Sequence, residues 1–107
     1  MAVSVGSEHH QKSRLDLPRL EAIAGRTKRP LVLHGGSGIH PQDVREAVAL
    51  GVVKINIGHA ISLAMTGGAD EALETKLDHY GMLEVMRDGV RAVAREKLRL
   101  MKATKRA

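Results

Sequence analysis

Leu31-Val32-Leu33-His34-Gly35-Gly36-Ser37-Gly38 is the stretch on which the reading of this chain turns. Three apolar residues predict a short buried strand, Leu31–Leu33, that delivers a histidine to its end. A histidine so placed can ligate a metal or move a proton. The Gly-Gly-Ser-Gly turn behind it lets backbone N–H groups approach an anion closely, because glycine has no Cβ in the way and reaches positive φ at little cost. One loop therefore offers a cation ligand and an anion cradle side by side. For a lone histidine the ordinary reading is a strand cap bonded to backbone. The glycines that follow move the reading toward function.

Downstream, Pro41 suits the first position of a helix whose apolar face is Val44, Ala47, Val48 and Leu50, with Gly51 as its stop. Val52 to Ile57 then predicts a strand in which Val53, Ile55 and Ile57 alternate with Lys54 and Asn56. Lys54 reads as a structural ion-pair partner as readily as an anion ligand. Upstream, Asp16 predicts a helix cap over Leu17–Ala24, with Pro18 tolerated in the first turn and Gly25 ending it. Ala2–Val5 predicts a strand closed by Gly6, and Ser7 to Ser13 a polar loop carrying His9 and His10.

The remainder predicts helices: a short Ala60–Met65, a break at Gly67-Gly68, Asp70–His79, a second break at Gly81, and a long helix to about Lys102. Its face is Leu83, Met86, Val90, Val93, Leu98 and Met101, with Gly89 a weak point inside it. The order strand, helix, strand, helix, strand implies parallel strands with helical crossovers. In such folds ligands bind beyond the carboxyl ends of the strands. Three ends gather there: Gly6, Ser7 and His9; His34, Gly35, Gly36 and Ser37; Asn56, Gly58 and His59. His40 and His79 read as structural, one at a helix start and one on a polar helix face.

The chain has 107 residues, enough for one small domain. Its apolar content is ordinary, but there is one Tyr and no Phe or Trp, so the core must be aliphatic. Tyr80 as sole aromatic platform also weakens nucleic-acid readings built on base stacking. Net charge is +5, much of it between Arg95 and Arg106, where cations suit a helix C-terminus. Absence of cysteine excludes disulfides and thiolate metal sites. No apolar run approaches the roughly 18 residues of a membrane helix, and no signal peptide is recognisable. A cytoplasmic location with no membrane partner is the expectation.

The His34–Gly38 stretch and Gly51-Val52-Val53-Lys54-Ile55-Asn56-Ile57 together resemble the C-terminal part of class II ketose-bisphosphate aldolases, the zinc-dependent fructose- and tagatose-bisphosphate enzymes. Ala2-Val3-Ser4-Val5-Gly6-Ser7-Glu8-His9 resembles their preceding strand with its metal histidine. Asp16-Leu17-Pro18-Arg19-Leu20 resembles their next helix start, and Val90 to Lys97 their last helix. The resemblance implies an α/β fold that is a partial TIM (β/α)8 barrel, roughly its last three βα units plus C-terminal helices, over residues 1–107. It implies Zn2+ held by His9 and His34. It also implies a substrate and phosphate pocket of Gly35, Gly36, Ser37, Asn56 and His59, for a sugar bisphosphate or dihydroxyacetone phosphate. In that chemistry zinc polarises the ketone during C–C cleavage. Where the family usually has glycine after the first metal histidine, this chain has His10. Where it has Thr or Ser after the third strand, this chain has His59. The family's early metal histidine and catalytic aspartate have no counterpart in these 107 residues, so no catalytic residue is assigned.

Three readings follow. One is an aldolase domain completed by a complementing N-terminal half, or assembled as a homo-oligomer. Another is a truncated, inactive remnant; its open sheet edges predict low stability or self-association. The third is a small basic nucleic-acid-binding module, which no motif supports.

Overall fold

The computed structural model describes residues 1–7 and 11–103. The chain forms two compact units, Met1–Gly58 and His59–Ala107. The first is α/β, and its elements are β1 (Ala2–Val3), α1 (Leu17–Arg26), β2 (Leu31–Leu33), α2 (Pro41–Ala49) and β3 (Val52–Ile55). The three strands form one parallel sheet in the order β1-β2-β3. This is the arrangement implied by alternating strand and helix signals, since parallel neighbours need a crossover between them. β2 is central, and its burial agrees: Leu31 and Leu33 are buried and pack with Val5, Leu15, Leu20, Ile39, Val44, Ala47 and Val52 into an aliphatic core.

Local chemistry accounts for the helix ends. Asp16 accepts a hydrogen bond from the Arg19 N–H at 3.1 Å, capping α1 as its position predicts. Gly25 does not end that helix. The helix continues to Arg26, and Thr27 closes it by donating its N–H to the Ile23 carbonyl at 3.0 Å. Open space surrounds Gly25, so nothing requires the chain to turn there. His40 caps α2, its Nδ1 accepting from the Gln42 N–H at 3.2 Å, which is the structural role expected of it.

Two strand expectations need correction. β1 pairs only over Ala2–Val3, although Val5 remains buried. β3 ends at Ile55, and its alternation is broken early. The pairing with β2 steps from Leu31↔Val52 to Val32↔Lys54, leaving Val53 as an extra residue. A bulged residue loses its place in the alternation. Val52 is therefore buried while Val53 is 69% exposed, the reverse of the expected face.

The second unit contains α3 (His59–Glu74) and α4 (His79–Leu100). Gly67-Gly68 does not break α3; the helix runs through both. Gly68 is buried, and a Cβ there would lie 2.7 Å from the Met86 Cα. The glycine marks close approach of the two helices. Gly89 plays the reciprocal part against the Ala64 carbonyl, at 3.2 Å. The true break falls at 75–78, where Lys76 takes φ 54°. Asp78 then caps α4, accepting from the Gly81 N–H at 2.9 Å. Gly81 thus lies inside the first turn of α4 and not at a break. Leu83, expected on the apolar face, is 60% exposed, whereas Met86, Val90 and Val93 are half-buried. Lys97 and Arg99 occupy the last turn of α4, where cations complement the helix dipole. Among the described residues, no helix is long and apolar enough to cross a membrane.

Candidate functional site

The site is built on the carboxyl ends of β2 and β3. The Leu33↔Ile55 register places His34 and Asn56 side by side as the two strands end. Two backbone hydrogen bonds hold Asn56 there: its N–H donates to the Leu33 carbonyl at 2.9 Å, and its carbonyl accepts from the Gly36 N–H at 2.9 Å. Its side-chain amide is hydrogen-bonded to Nδ1 of His34 at 2.8 Å. Nδ1 of the His34 imidazole is thus engaged by Asn56. The His34 ring is otherwise exposed.

The glycine turn follows at once. Gly35 sits at φ +68°, which glycine adopts without strain. Gly36 is buried, and a Cβ there would overlap the Ile55 side chain and stand 2.9 Å from the Asn56 carbonyl oxygen. Its N–H is given to that same carbonyl. Gly36 thus serves as a spacer that lets the turn lie against β3, and its backbone donor is not open to an anion. Gly38 is equally constrained: a Cβ would overlap the Gln11 carbonyl. Ser37 is half-buried and makes contacts of its own.

The structure therefore brings together His34, Gly35, Gly36, Ser37 and Asn56 from the residues singled out in the sequence. His9 and His10 lie outside the described residues. His59 is half-buried as the first residue of α3. His34 is the right kind of donor for zinc, which takes imidazole nitrogen readily. Among the described residues, however, no three His, Asp or Glu side chains gather as a metal site. His34 offers one donor and not a set.

Asp43, on the first turn of α2, has no counterpart in the sequence reading. It is 1% exposed, and its carboxylate accepts from Arg14 Nε and Nη2, both at 2.9 Å, and from the Leu15 N–H at 2.8 Å. Beside it, the Ser13 N–H donates to the Gly38 carbonyl at 2.9 Å, and the His40 N–H to the Ser13 carbonyl at 3.1 Å. The segment after β1 is thereby tied to the segment after β2. An acidic residue early in α2 was visible in the sequence; its partner 29 positions upstream was not.

Residues 1–106 match the family model for fructose-bisphosphate aldolase class II. The chain belongs to that family. As a class II aldolase family member it is 31% identical to the sulfofructosephosphate aldolase of Alkalicoccus urumqiensis, over all of this chain and 39% of that protein. It is 47% identical over 64 residues to the fructose-bisphosphate aldolase of Mycoplasma pneumoniae, covering 60% of this chain and 22% of the relative. Among solved structures, the YdjI aldolase of Escherichia coli K12 superposes with a TM-score of 0.88 at 28% identity, over 99% of this chain and 40% of that one. The aldolase-family chain thus spans about two fifths of the length of the relatives that it matches end to end.

Proposed function

We propose that these 107 residues are the C-terminal part of a class II aldolase (β/α)8 barrel domain that carries out zinc-assisted, reversible aldol cleavage of a ketose bisphosphate. The observation that carries the reading is His34, bonded to Asn56 and followed by the glycine turn, at the ends of two parallel strands. In this reading His34 and His9 are two of the zinc ligands. The third ligand and the proton-transferring aspartate come from chain outside these residues, as do the barrel's remaining strands. Zinc, when bound, supplies Lewis-acid polarisation of the substrate ketone.

Gly35 and Ser37 seat a substrate phosphate, and Gly36 allows the turn its approach to β3. Asn56 faces substrate once its amide is released from His34. His59 stands where the family usually has a smaller hydroxyl residue, and on that resemblance alone we assign it to substrate binding. The names of the two relatives support a shared half-site: one protein is named for a sulfofructose phosphate and the other for a fructose bisphosphate. A fructose bearing a phosphate is common to both.

Zinc titration of the purified chain by calorimetry tests the metal assignment, with His9→Ala and His34→Ala as controls. Each substitution is expected to weaken binding by about tenfold or more, the scale of losing one ligand or its close support. If both variants bind zinc as tightly as the parent, the metal assignment is wrong.

A further inference from the structure

Asp43 is a buried carboxylate that the reaction does not use. Taking a carboxylate out of water costs several kcal/mol, and a buried pair replaced whole by apolar side chains of similar volume loses little cohesion. What the carboxylate provides here is geometry. Its two oxygens take up three donors, all from Arg14 and Leu15 in the segment after β1. One residue earlier, Ser13 pairs with Ile39 as a single parallel bridge, bonded on one side to Gly38 and on the other to His40. Two residues before that, the Gln11 carbonyl closes on Gly38 so tightly that no Cβ fits. The far end of that segment is fixed as well, since the Asp16 N–H donates to the Val5 carbonyl at 2.7 Å. Gly38 to His40 is the distal foot of the turn whose near foot is His34. The near foot is held by Asn56, and the distal foot by the segment that Asp43 secures.

The geometry points to Asp43 as a positioning residue for the phosphate seat. By holding Arg14 and the Leu15 N–H it fixes the segment Ser13–Asp16 against Gly38–His40, and so sets the shape of the turn Gly35–Gly38. This rests on the reading of that turn as an anion seat. Asp43 touches no ligand; it acts through the backbone that does. Preorganisation of this kind raises affinity by removing the ordering cost from the binding step.

The test is a titration of the full chain with inorganic phosphate, followed by the NMR shifts of the Gly35 and Ser37 amides. Asp43→Leu keeps the volume and removes the acceptors. It is expected to lower the urea midpoint, because the buried Leu15 N–H loses its acceptor, and also to shift the Gly35–Gly38 amides before ligand is added and to weaken phosphate binding by the folded fraction about tenfold. Asp43→Asn keeps an acceptor for the Leu15 N–H and is expected to lose about threefold. It also serves should Asp43→Leu fail to fold. A purely structural role would lower the midpoint and leave the affinity of the folded fraction unchanged. Saturable binding by the parent with equal affinity in the folded variants overturns the positioning role while leaving the seat intact. No saturable shift in the parent overturns the seat, and the positioning role with it.

Discussion

Gly67 and Gly68 are neighbours in α3, and the structure gives them opposite surroundings. A Cβ at Gly68 would stand 2.7 Å from the Met86 Cα, 3.0 Å from the Met86 N and 3.1 Å from the Val85 carbonyl oxygen. All three are backbone atoms of α4, so no side-chain rotation relieves the contact. The methyl must retreat from 2.7 Å to the 3.4 Å at which ordinary contact begins, which moves the helices apart by about 0.7 Å. A gap of that size forfeits roughly a quarter to a half of each dispersion contact across the interface. Overpacking of this kind costs about 1–3 kcal/mol. Against it stands the helix propensity of alanine over glycine, about 1 kcal/mol. The steric term wins, and Gly68→Ala is expected to destabilise the chain by about 1 kcal/mol net. At Gly67 nothing lies within 4 Å of an added Cβ, so only the propensity term acts. Gly67→Ala is expected to stabilise by about 1 kcal/mol.

The pair is its own control. Both substitutions change the unfolded chain identically and both sit mid-helix, so the difference of about 2 kcal/mol reports the helix–helix contact alone. Urea unfolding followed by circular dichroism at 222 nm measures it through the midpoints. Equal stabilisation by the two substitutions would refute the close approach of α3 and α4 at Met86.

Four further outcomes follow from single contacts. Gly38→Ala places a methyl on the Gln11 carbonyl and is expected to cost at least about 3 kcal/mol, read from the urea midpoint. Asp78→Ala removes the acceptor for the Gly81 N–H and should cost about 1 kcal/mol in the same assay. Val53→Thr should fall within about 0.5 kcal/mol of the parent, because the bulge leaves that side chain exposed; a loss above 1 kcal/mol would restore Val53 to the core. Asn56→Ala frees the His34 Nδ1 from a hydrogen bond of about 1 kcal/mol and should tighten zinc binding roughly fivefold by calorimetry. Unchanged or weaker binding would place the cation elsewhere.

The elements written in local chemistry were legible. Leu31–Leu33 is a strand over those three residues, Pro41 opens α2, and Asp16 caps α1, because each depends on residues within a turn of one another. The glycines misled wherever their reason lay at a distance. Gly68 and Gly81 resemble breakers in a local window, yet the first is small because α4 passes over it and the second lies under the Asp78 cap. A glycine inside a helix carries two meanings, weak propensity and close packing, and only the partner helix distinguishes them. Val53 failed for a related reason. A bulge is a property of the pairing between two strands, and one strand's pattern does not contain it.

The site divides along the same line. His34, its glycine turn and Asn56 were found because each terminates a recognisable strand, and parallel topology brings strand ends together. What holds them could not be found that way. Asn56 reaches His34 across 22 positions, and Asp43 reaches Arg14 across 29, through pairings that no periodicity records. Residue type still left a trace. Asp43 follows Gln42 and precedes Val44, and Val44 and Ala47 are the buried stripe of α2. A carboxylate beside such a stripe either faces solvent or is buried with a partner. Arg14, flanked by Ser13 and the buried Leu15, is a candidate for that partner once β1 and β2 are taken as parallel neighbours. The inference needs the topology first and the charge second. Sequence reading therefore recovers the groups at the strand ends before it recovers the groups that fix them in place.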